Sequence, residues 1–370
     1  GNQEIGLYPY QDILNLTEYP YGSTLQPSTI ITRLTDKNIK WESTRVLNFG
    51  VDLDIYKGLF GVTFDWFKKN TYDILTTQPV PGSLGLSGPV TNDGKLQNIG
   101  WEAQLRHANQ VGDFSYSAYF LFSTFKNKLL KIRTPTKGVN EVGLPYGSYY
   151  MYEWIGIFQS QDDIDKSPDQ PFFPPRPGDL KIKDQNGDAV VNAEDRKTVK
   201  GIFPDFTYSF GFTAAWKGFA LSAFFQGTQG NKMPLNGWGV DPFIQGTPPT
   251  AKFRDAWSPT NPSNTVPAIY ESWGYGGVSA YPSTYYLQDA SYLRLKNVNL
   301  SYTLPKRVAD KIWSKGLTVY VSGDNLLTFT KFEGADPETL SRSGSTIGGW
   351  GRFAQFPQVR IINFGIDVKF

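Results

Sequence analysis

Nine segments of about ten residues alternate apolar and polar side chains at period two, the mark of strands with two unlike faces. In "RVLNFGVDLDIY", Leu47, Phe49, Val51, Leu53 and Ile55 share one face; in "LFGVTFDWFKK", Phe60, Val62, Phe64 and Trp66 do the same. The chain closes on another such run, with Ile362, Phe364, Ile366, Val368 and Phe370 apolar and Ile361, Asn363, Gly365, Asp367 and Lys369 between them. A soluble sheet ending there would expose a sticky edge, so the pattern requires a setting that makes the edge safe.

The segments come in pairs. Lys57-Gly58 joins the first two, Val111-Gly112-Asp113 joins "NIGWEAQLRH" to "FSYSAYFLFS", Lys217-Gly218 joins "FTYSFGFTAAW" to "FALSAFFQG", and a Pro305-led turn joins "YLRLKNVNLSYTL" to "LTVYVSGDNLLTF". Between pairs lie the long segments 70–96, 125–205, 228–290 and 330–358, rich in Gly, Pro and aromatic residues. Short and long connections thus alternate strictly. Structureless loops of that length argue against a compact soluble domain, whereas short turns on one rim and long loops on the other describe an outer-membrane barrel. The expected fold is all-β, an antiparallel transmembrane β-barrel to which this chain gives about 9–11 strands. Phe, Tyr, Trp, Leu and Val would face lipid; the set with Asp52, Asp54, Glu102, Gln104, Arg106 and Asp324 would line water. The apolar phase slips between Leu295 and Val298, which predicts a bulge at Lys296 and Asn297. A weaker strand is expected around Leu7 to Leu16.

Several function classes drop out. With no Cys there is no disulfide scaffold, thiolate metal site or Cys nucleophile. His107 is the only histidine, so no Ser-His-Asp triad or His-rich metal site can assemble, and its place beside Trp101 and Leu105 suits a barrel rim. Asp162 and Asp163 are adjacent in a polar loop, where sequence shows no glycosidase-like separation, and no enzyme is expected. A formal net charge of +2, with no phosphate cradle or basic helical stripe, gives no reason to expect nucleic acid. The basic clusters "FKNKLLKIR" and "DLKIKD" suit a solvated loop or anionic headgroups at the outer surface. No apolar stretch is long enough for a spanning helix. Gly1 carries neither an initiator Met nor a signal-like run, and about ten strands need not close by themselves, so further strands are expected upstream.

The sharpest local motif is "DQNGDAVVNAED". It sets Asp184, Asn186 and Asp188 at positions 1, 3 and 5 of a calcium loop, offers the Val190 carbonyl at 7 and places Asp195 at 12. Oxygen ligands at that spacing suit Ca2+. Ala189 stands where such loops carry a turn-making Gly, and Asp195 is shorter than the usual bidentate Glu. The alternative is an Asx-rich turn in a surface loop, and either role is structural. Aromatic residues in the long segments, among them Tyr146, Tyr149, Tyr150, Trp154, Trp238, Trp257, Tyr270, Trp273, Tyr275, Tyr285 and Trp350, could stack on sugars or hold peptide side chains; for each singly, packing between loops is the stronger expectation.

The order and spacing of "GNQEIG", "KWESTRVLNFGVDLDIYKGLFGVTFDWFKKNTYDIL", "GDLKIKDQNGDAVVNAEDR", "FPDFTYSFGF", "FFQGTQGNK", "DASYLRLKNVNLSYTLPK", "VYVSGDNLLTFTKFEGADPE" and "FPQVRIINFGIDVKF" resemble the C-terminal half of SusC/RagA-like TonB-dependent outer-membrane transporters. The resemblance runs almost end to end. It implies that residues 1–370 are the C-terminal part of a barrel of about 22 strands, with an N-terminal plug, a TonB-contacting segment and the remaining strands supplied by an upstream segment or a separate chain. It also implies an outer-membrane location in a Gram-negative bacterium with extracellular loops, a SusD-like surface lipoprotein as lid, and import of an oligosaccharide or, alternatively, an oligopeptide. Two rivals remain: a soluble lectin-like or adhesive all-β domain, and a passive porin.

Overall fold

The computed structural model describes residues 8–171, 174–201, 203–235, 240–243, 248–269, 282–338 and 357–370. All nine alternating segments are strands, labelled here in chain order: β1 (Ser43–Ile55), β2 (Phe60–Thr77), β3 (Val90–Val111), β4 (Phe114–Lys131), β5 (Phe206–Trp216), β6 (Phe219–Gln229), β7 (Tyr292–Thr303), β8 (Gly316–Thr330) and β9 (Ile361–Lys369). They form a nine-stranded sheet whose order follows the chain from β1 to β9, the meander of an up-and-down barrel wall. Among the described residues no helix is long and apolar enough to cross a membrane.

Turn chemistry sets the register. Trp216 pairs with Phe219, leaving Lys217 and Gly218 as a two-residue turn with φ of 45° and 91°. Two left-handed residues in succession make the turn whose twist matches that of its strands. A Cβ at Gly218 would come 2.7 Å from the Thr303 carbonyl oxygen, so this position admits little else. Lys57 and Gly58 repeat the turn at φ 57° and 92°. Against β6, Phe225 pairs with Leu295 and Phe224 with Asn297, so Lys296 is the extra residue of β7, as expected; against β8, Leu295 pairs with Leu327 and Asn297 with Asp324. Lys296 carries the apolar face from Leu293 and Leu295 to Val298, Leu300 and Tyr302.

The apolar face is open rather than buried. Phe364 is 81% exposed and Ile366 68%, and every apolar member of β1 from Leu47 to Ile55 is exposed. An apolar surface this continuous suits contact with lipid. At about 3.3 Å per residue and a tilt of about 40°, the β1 run covers roughly 20 Å of membrane thickness. Rings tie neighbouring strands on this face: Phe64 to Trp101 (6.0 Å between centroids), Trp101 to Phe122 (4.8 Å) and Phe122 to Phe206 (5.1 Å) make a belt across β2 to β5. Near the turns, Phe60 lies 4.6 Å from the ring of His107. His107 Nδ1 sits 2.9 Å from the Leu59 carbonyl and Nε2 2.9 Å from the Tyr116 hydroxyl. Because a carbonyl only accepts, Nδ1 carries the proton and Nε2 accepts from Tyr116. The histidine is a rim residue.

Three sequence expectations need correcting. Segment 70–96 is not all loop: β2 runs to Thr77 and β3 begins at Val90. Both sides of these extensions are polar, so hydropathy alternation cannot find them; cross-strand rungs hold them instead, Thr44 with Thr71 (3.3 Å), Gln97 with Asn70 (2.9 Å) and Asn127 with Asn98 (2.6 Å). β3 has 22 residues, more than twice the ~10 that a crossing takes. Likewise 125–205 is not structureless, since β4 continues to Lys131 and short strands follow. The weak strand expected around Leu7 to Leu16 is a separate hairpin, Leu14–Tyr21 against Thr24–Ile31. Residue 7 lies outside the described residues.

The chain divides into two compact units, one of Gly1–Phe49, Trp66–Gly100 and Phe125–Tyr146, the other of Gly50–Asp65, Trp101–Thr124 and Gly147–Phe370. The first holds the hairpin and the polar strand extensions. The second holds the rest of the sheet and most of the long connections.

Candidate functional site

The opposite face of the sheet is hydrophilic, and its side chains bond across strands. Thr63 donates to Asp52 (2.7 Å), Ser123 to Glu102 (3.1 Å) and Asn297 to Asp324 (2.8 Å), while Arg106 lies 3.6 Å from Asp54. This is the water-lining set expected from sequence. Two clefts open on it. One, of about 470 Å³, has Asp65, Glu102, Gln104, Ser209 and Gln226 in its lining; the other, of about 540 Å³, is lined with small polar groups such as Ser117, Thr213, Ser222 and Asn299. Where Gly211 and Gly365 leave the backbone bare, Tyr119 and Tyr320 from the directly paired positions lie over them, and a Cβ at either glycine would collide with the phenol. Hydroxyl, amide and carboxylate groups here can exchange hydrogen bonds with a polar solute. They offer no nucleophile poised against a base.

The long connections of the second unit fold into a layer with its own core. Tyr149–Tyr152 pairs with Arg196–Val199, and Trp154–Ile157 with Leu180–Ile182. Tyr152, Ile157, Leu180, Ile182 and Val191 pack with Phe253, Trp257, Val266 and Ala268, residues far away in the chain. Gln159 pins the two parts, donating to the Ile157 and Ser263 carbonyls and accepting from Trp257 Nε1 at 3.0 Å. Gly178, at φ 96°, is packed so tightly against Ala268 and Trp257 that a Cβ has no room. Glu153 accepts from Lys197 (2.7 Å) and Gln185 (2.7 Å), with Lys183 at 3.4 Å. These bonds hold its carboxyl down to about 2.

Of the aromatic candidates, Tyr149, Trp154 and Trp257 are packing residues, Tyr146 is exposed, Tyr150 is half-buried, and Trp238, Tyr270, Trp273, Tyr275 and Trp350 lie outside the described residues. Tyr285 borders a pocket of about 290 Å³, at the lower edge of the roughly 300–1,000 Å³ of small-molecule sites. Lys252 Nζ lies 5.5 Å from the Tyr285 ring and 3.2 Å from Glu333, which also accepts from Gln288 at 3.0 Å. Burial, with Asp241 nearby, pushes the Tyr285 and Tyr286 phenols above their usual range, so both remain donors. Sequence reasoning missed this pocket because its walls come from 235, 240–241, 250–253, 285–288 and 333.

The 184–195 loop brings its five candidate residues into one turn. Asp184 accepts from Gly187 N (2.7 Å) and Ala189 N (2.9 Å), and Asp188 accepts from Val190 N (2.9 Å). Asn186 Oδ1 accepts from Asp188 N at 3.0 Å. Asp195 is fully buried and accepts from Gln185 N (2.8 Å) and Asn192 N (2.7 Å). Bonding to backbone N–H groups lowers the Asp184 carboxyl against the opposing effect of desolvation. Ala189 adopts φ 65°, the left-handed conformation a loop Gly would take. Among the described residues no three His, Cys, Asp or Glu converge as a metal cluster. The bonds within the loop are those of an Asx turn, with the Val190 carbonyl accepting from Asn192 Nδ2 at 3.3 Å.

No family model matches the chain. The TonB-dependent receptor P3 of Formosa agariphila is 30% identical over 401 residues, covering 100% of this chain and 38% of the receptor. The TonB-dependent receptor SusC of Bacteroides thetaiotaomicron is 24% identical over 346 residues, 88% of this chain and 32% of SusC. The solved structure of the RagAB peptide transporter superposes over 100% of this chain and 40% of its own, with a TM-score of 0.77 at 26% identity. The chain thus spans about two fifths of the length of P3. These relatives are receptors and transporters by name. With its nine-stranded meander, the chain is similar over its whole length to part of the barrel of SusC/RagA-like TonB-dependent receptors.

Proposed function

We propose that the chain is the C-terminal part, residues 1–370, of a TonB-dependent importer that captures an oligosaccharide between its extracellular loops and a SusD-like surface lipoprotein and passes it along the hydrophilic face of the sheet. The observation that carries this reading is the division of faces: an apolar side open to lipid, and a side whose clefts are lined with hydroxyls, amides and carboxylates. Such a face bonds to a sugar as well as to a peptide backbone. An oligopeptide is the second reading, favoured by the whole-chain likeness to a peptide transporter. The plug and the TonB contact belong to other parts of the receptor, and the energy comes from TonB.

The test is uptake of labelled glycans and peptides by cells carrying the intact receptor, with and without TonB, alongside identification of lipoprotein and ligand that co-purify with it. TonB-dependent accumulation of glycan supports the first reading, and of peptide the second. Uptake that persists without TonB makes the protein a passive pore. A monodisperse monomer needing no detergent would make it a soluble lectin-like domain.

In the same reading the 184–195 loop takes Ca2+ as a stiffener of the loop layer. The order of Asp184, Asn186, Asp188, Val190 and Asp195 supports it, as does the left-handed Ala189. Adding Ca2+ to the chelated receptor should slow amide exchange across 184–195. Unchanged exchange would leave the Asx turn to close the loop alone.

A further inference from the structure

In the first unit, the lipid-side face of the sheet does not end in neutral residues. On β1, Arg45 follows Leu47 and Phe49 on the same side; on β2, Lys68 follows Trp66, whose ring lies 6.0 Å from that of Phe49. Farther along, Tyr72 is flanked by two cations: Arg45 Cζ lies 5.4 Å and Lys95 Nζ 4.6 Å from its ring centroid. Asn70 and Gln97 bond on this side at 2.9 Å. On β4, Asn127 bonds Asn98 on the other face and Leu129 is buried, so Lys126 and Lys128 fall on the side of Lys95.

Arg45, Lys68, Lys95, Lys126 and Lys128 have no carboxylate partner among the described residues. The nearby Asp93 is already met by Lys131 at 3.7 Å and Arg133 at 3.3 Å. Five cations therefore sit just past an apolar run, at the level where lipid headgroups lie, and two of them share one ring with no anion between. Such a row is costly unless anions meet it. Arg and Lys at that level match the oxygens of phosphate.

We propose that this row is a binding site for the phosphates of lipid A in the surrounding outer leaflet. It rests on the reading that the loop-bearing rim faces the cell exterior. The lipid source is favoured over free phosphate because the cations adjoin Leu47, Phe49 and Trp66, which hold acyl chains and do nothing for an inorganic ion.

The intact receptor, extracted from outer membranes into mild detergent, would be examined by native mass spectrometry for retained lipid A. Delipidated receptor would then be reloaded with lipid A, with its dephosphorylated form, or with inorganic phosphate. The test variant is Lys68→Gln, Lys95→Gln, Lys126→Gln and Lys128→Gln together; the control is Lys137→Gln, Lys306→Gln, Lys311→Gln and Lys331→Gln. Each cation near an anionic surface contributes roughly fivefold in affinity, so the test variant should bind lipid A at least tenfold more weakly while the control matches wild type. Equal retention by all three proteins overturns the proposal. So does equal binding of the dephosphorylated lipid, which would reduce the site to an apolar contact. Displacement of lipid A by millimolar phosphate would make it a free-anion site and also overturns the lipid assignment. Topology is read separately, by an impermeant thiol label on Asp188→Cys in intact cells. If that loop is not reached, the outer-leaflet assignment falls together with the import topology, whereas a reached loop with equal lipid retention overturns the lipid proposal alone.

Discussion

Arg294 is the residue whose loss should do the most damage relative to how ordinary it looks in the sequence. It sits on the hydrophilic side of β7 with its side chain 2% exposed. Nε donates to Thr328 Oγ1 (2.8 Å), Nη2 to Asp336 (2.8 Å) and Nη1 to Glu338 (2.5 Å). The acids belong to the segment after β8, so one guanidinium fastens that segment to the sheet. In Arg294→Met, Glu338 keeps Lys296 at 2.8 Å, but Asp336, with its side chain 3% exposed, loses the Arg294 guanidinium. Breaking a buried pair in this way costs about 3–5 kcal/mol. Asp336 still accepts from Glu338 N (2.8 Å) and Gln358 N (3.0 Å), which places the loss near the low end, about 3 kcal/mol. Since each ~1.4 kcal/mol is tenfold, amide exchange across 331–338 should accelerate roughly 100-fold. The sheet itself should remain folded. Removing both charges, in Arg294→Met with Asp336→Leu, should cost less than the sum of the single changes, because the two groups interact directly and the buried carboxylate leaves with its guanidinium. Unchanged exchange in Arg294→Met, or strict additivity in the double variant, would refute the buried-pair account.

Phe364→Arg should destabilise the sheet by about 2–4 kcal/mol in lipid, whereas Asn363→Arg one position away should cost far less; urea unfolding in vesicles compares them, and equal effects would mean that the two faces see the same solvent. Trp257→Ala should cost the loop layer about 3–5 kcal/mol and open it to limited protease while the sheet remains folded. Acid should loosen the same layer through Glu153. Its folded carboxyl titrates at about 2 against an ordinary 4.5, so its contribution is complete above pH 4.5 and fades as pH falls toward 2. Glu153→Gln should flatten the pH dependence of protease resistance in that window, and an unaltered profile would assign the acid sensitivity to other groups.

What sequence could and could not reveal follows from where each contact originates. Period-two alternation located all nine strands, and even the slip at Lys296, because lipid on one side and water on the other impose unlike chemistry on neighbouring residues. Where both sides are polar, as in the far halves of β2 and β3, that contrast vanishes and the strands escaped notice. The loop layer escaped for a different reason: Val191 meets Trp257 and Gly178 meets Ala268 across long stretches of chain, with no local period to mark them. Arg294 reads as one more polar strand residue until Asp336 arrives from 42 positions on. The 184–195 motif was legible as a turn, but its oxygens serve backbone N–H groups in ways spacing does not specify. The second unit therefore carries two kinds of interior. On the sheet, lipid stands in for a hydrophobic core, so its stability answers to the surrounding amphiphile. The loop layer buries Tyr152, Ile182 and Val191 by itself and answers to acid and to cavity-forming substitutions. A change of detergent should therefore move the unfolding of the sheet and leave the protease resistance of the loop layer in place, and a common shift in both would mean that they share one core.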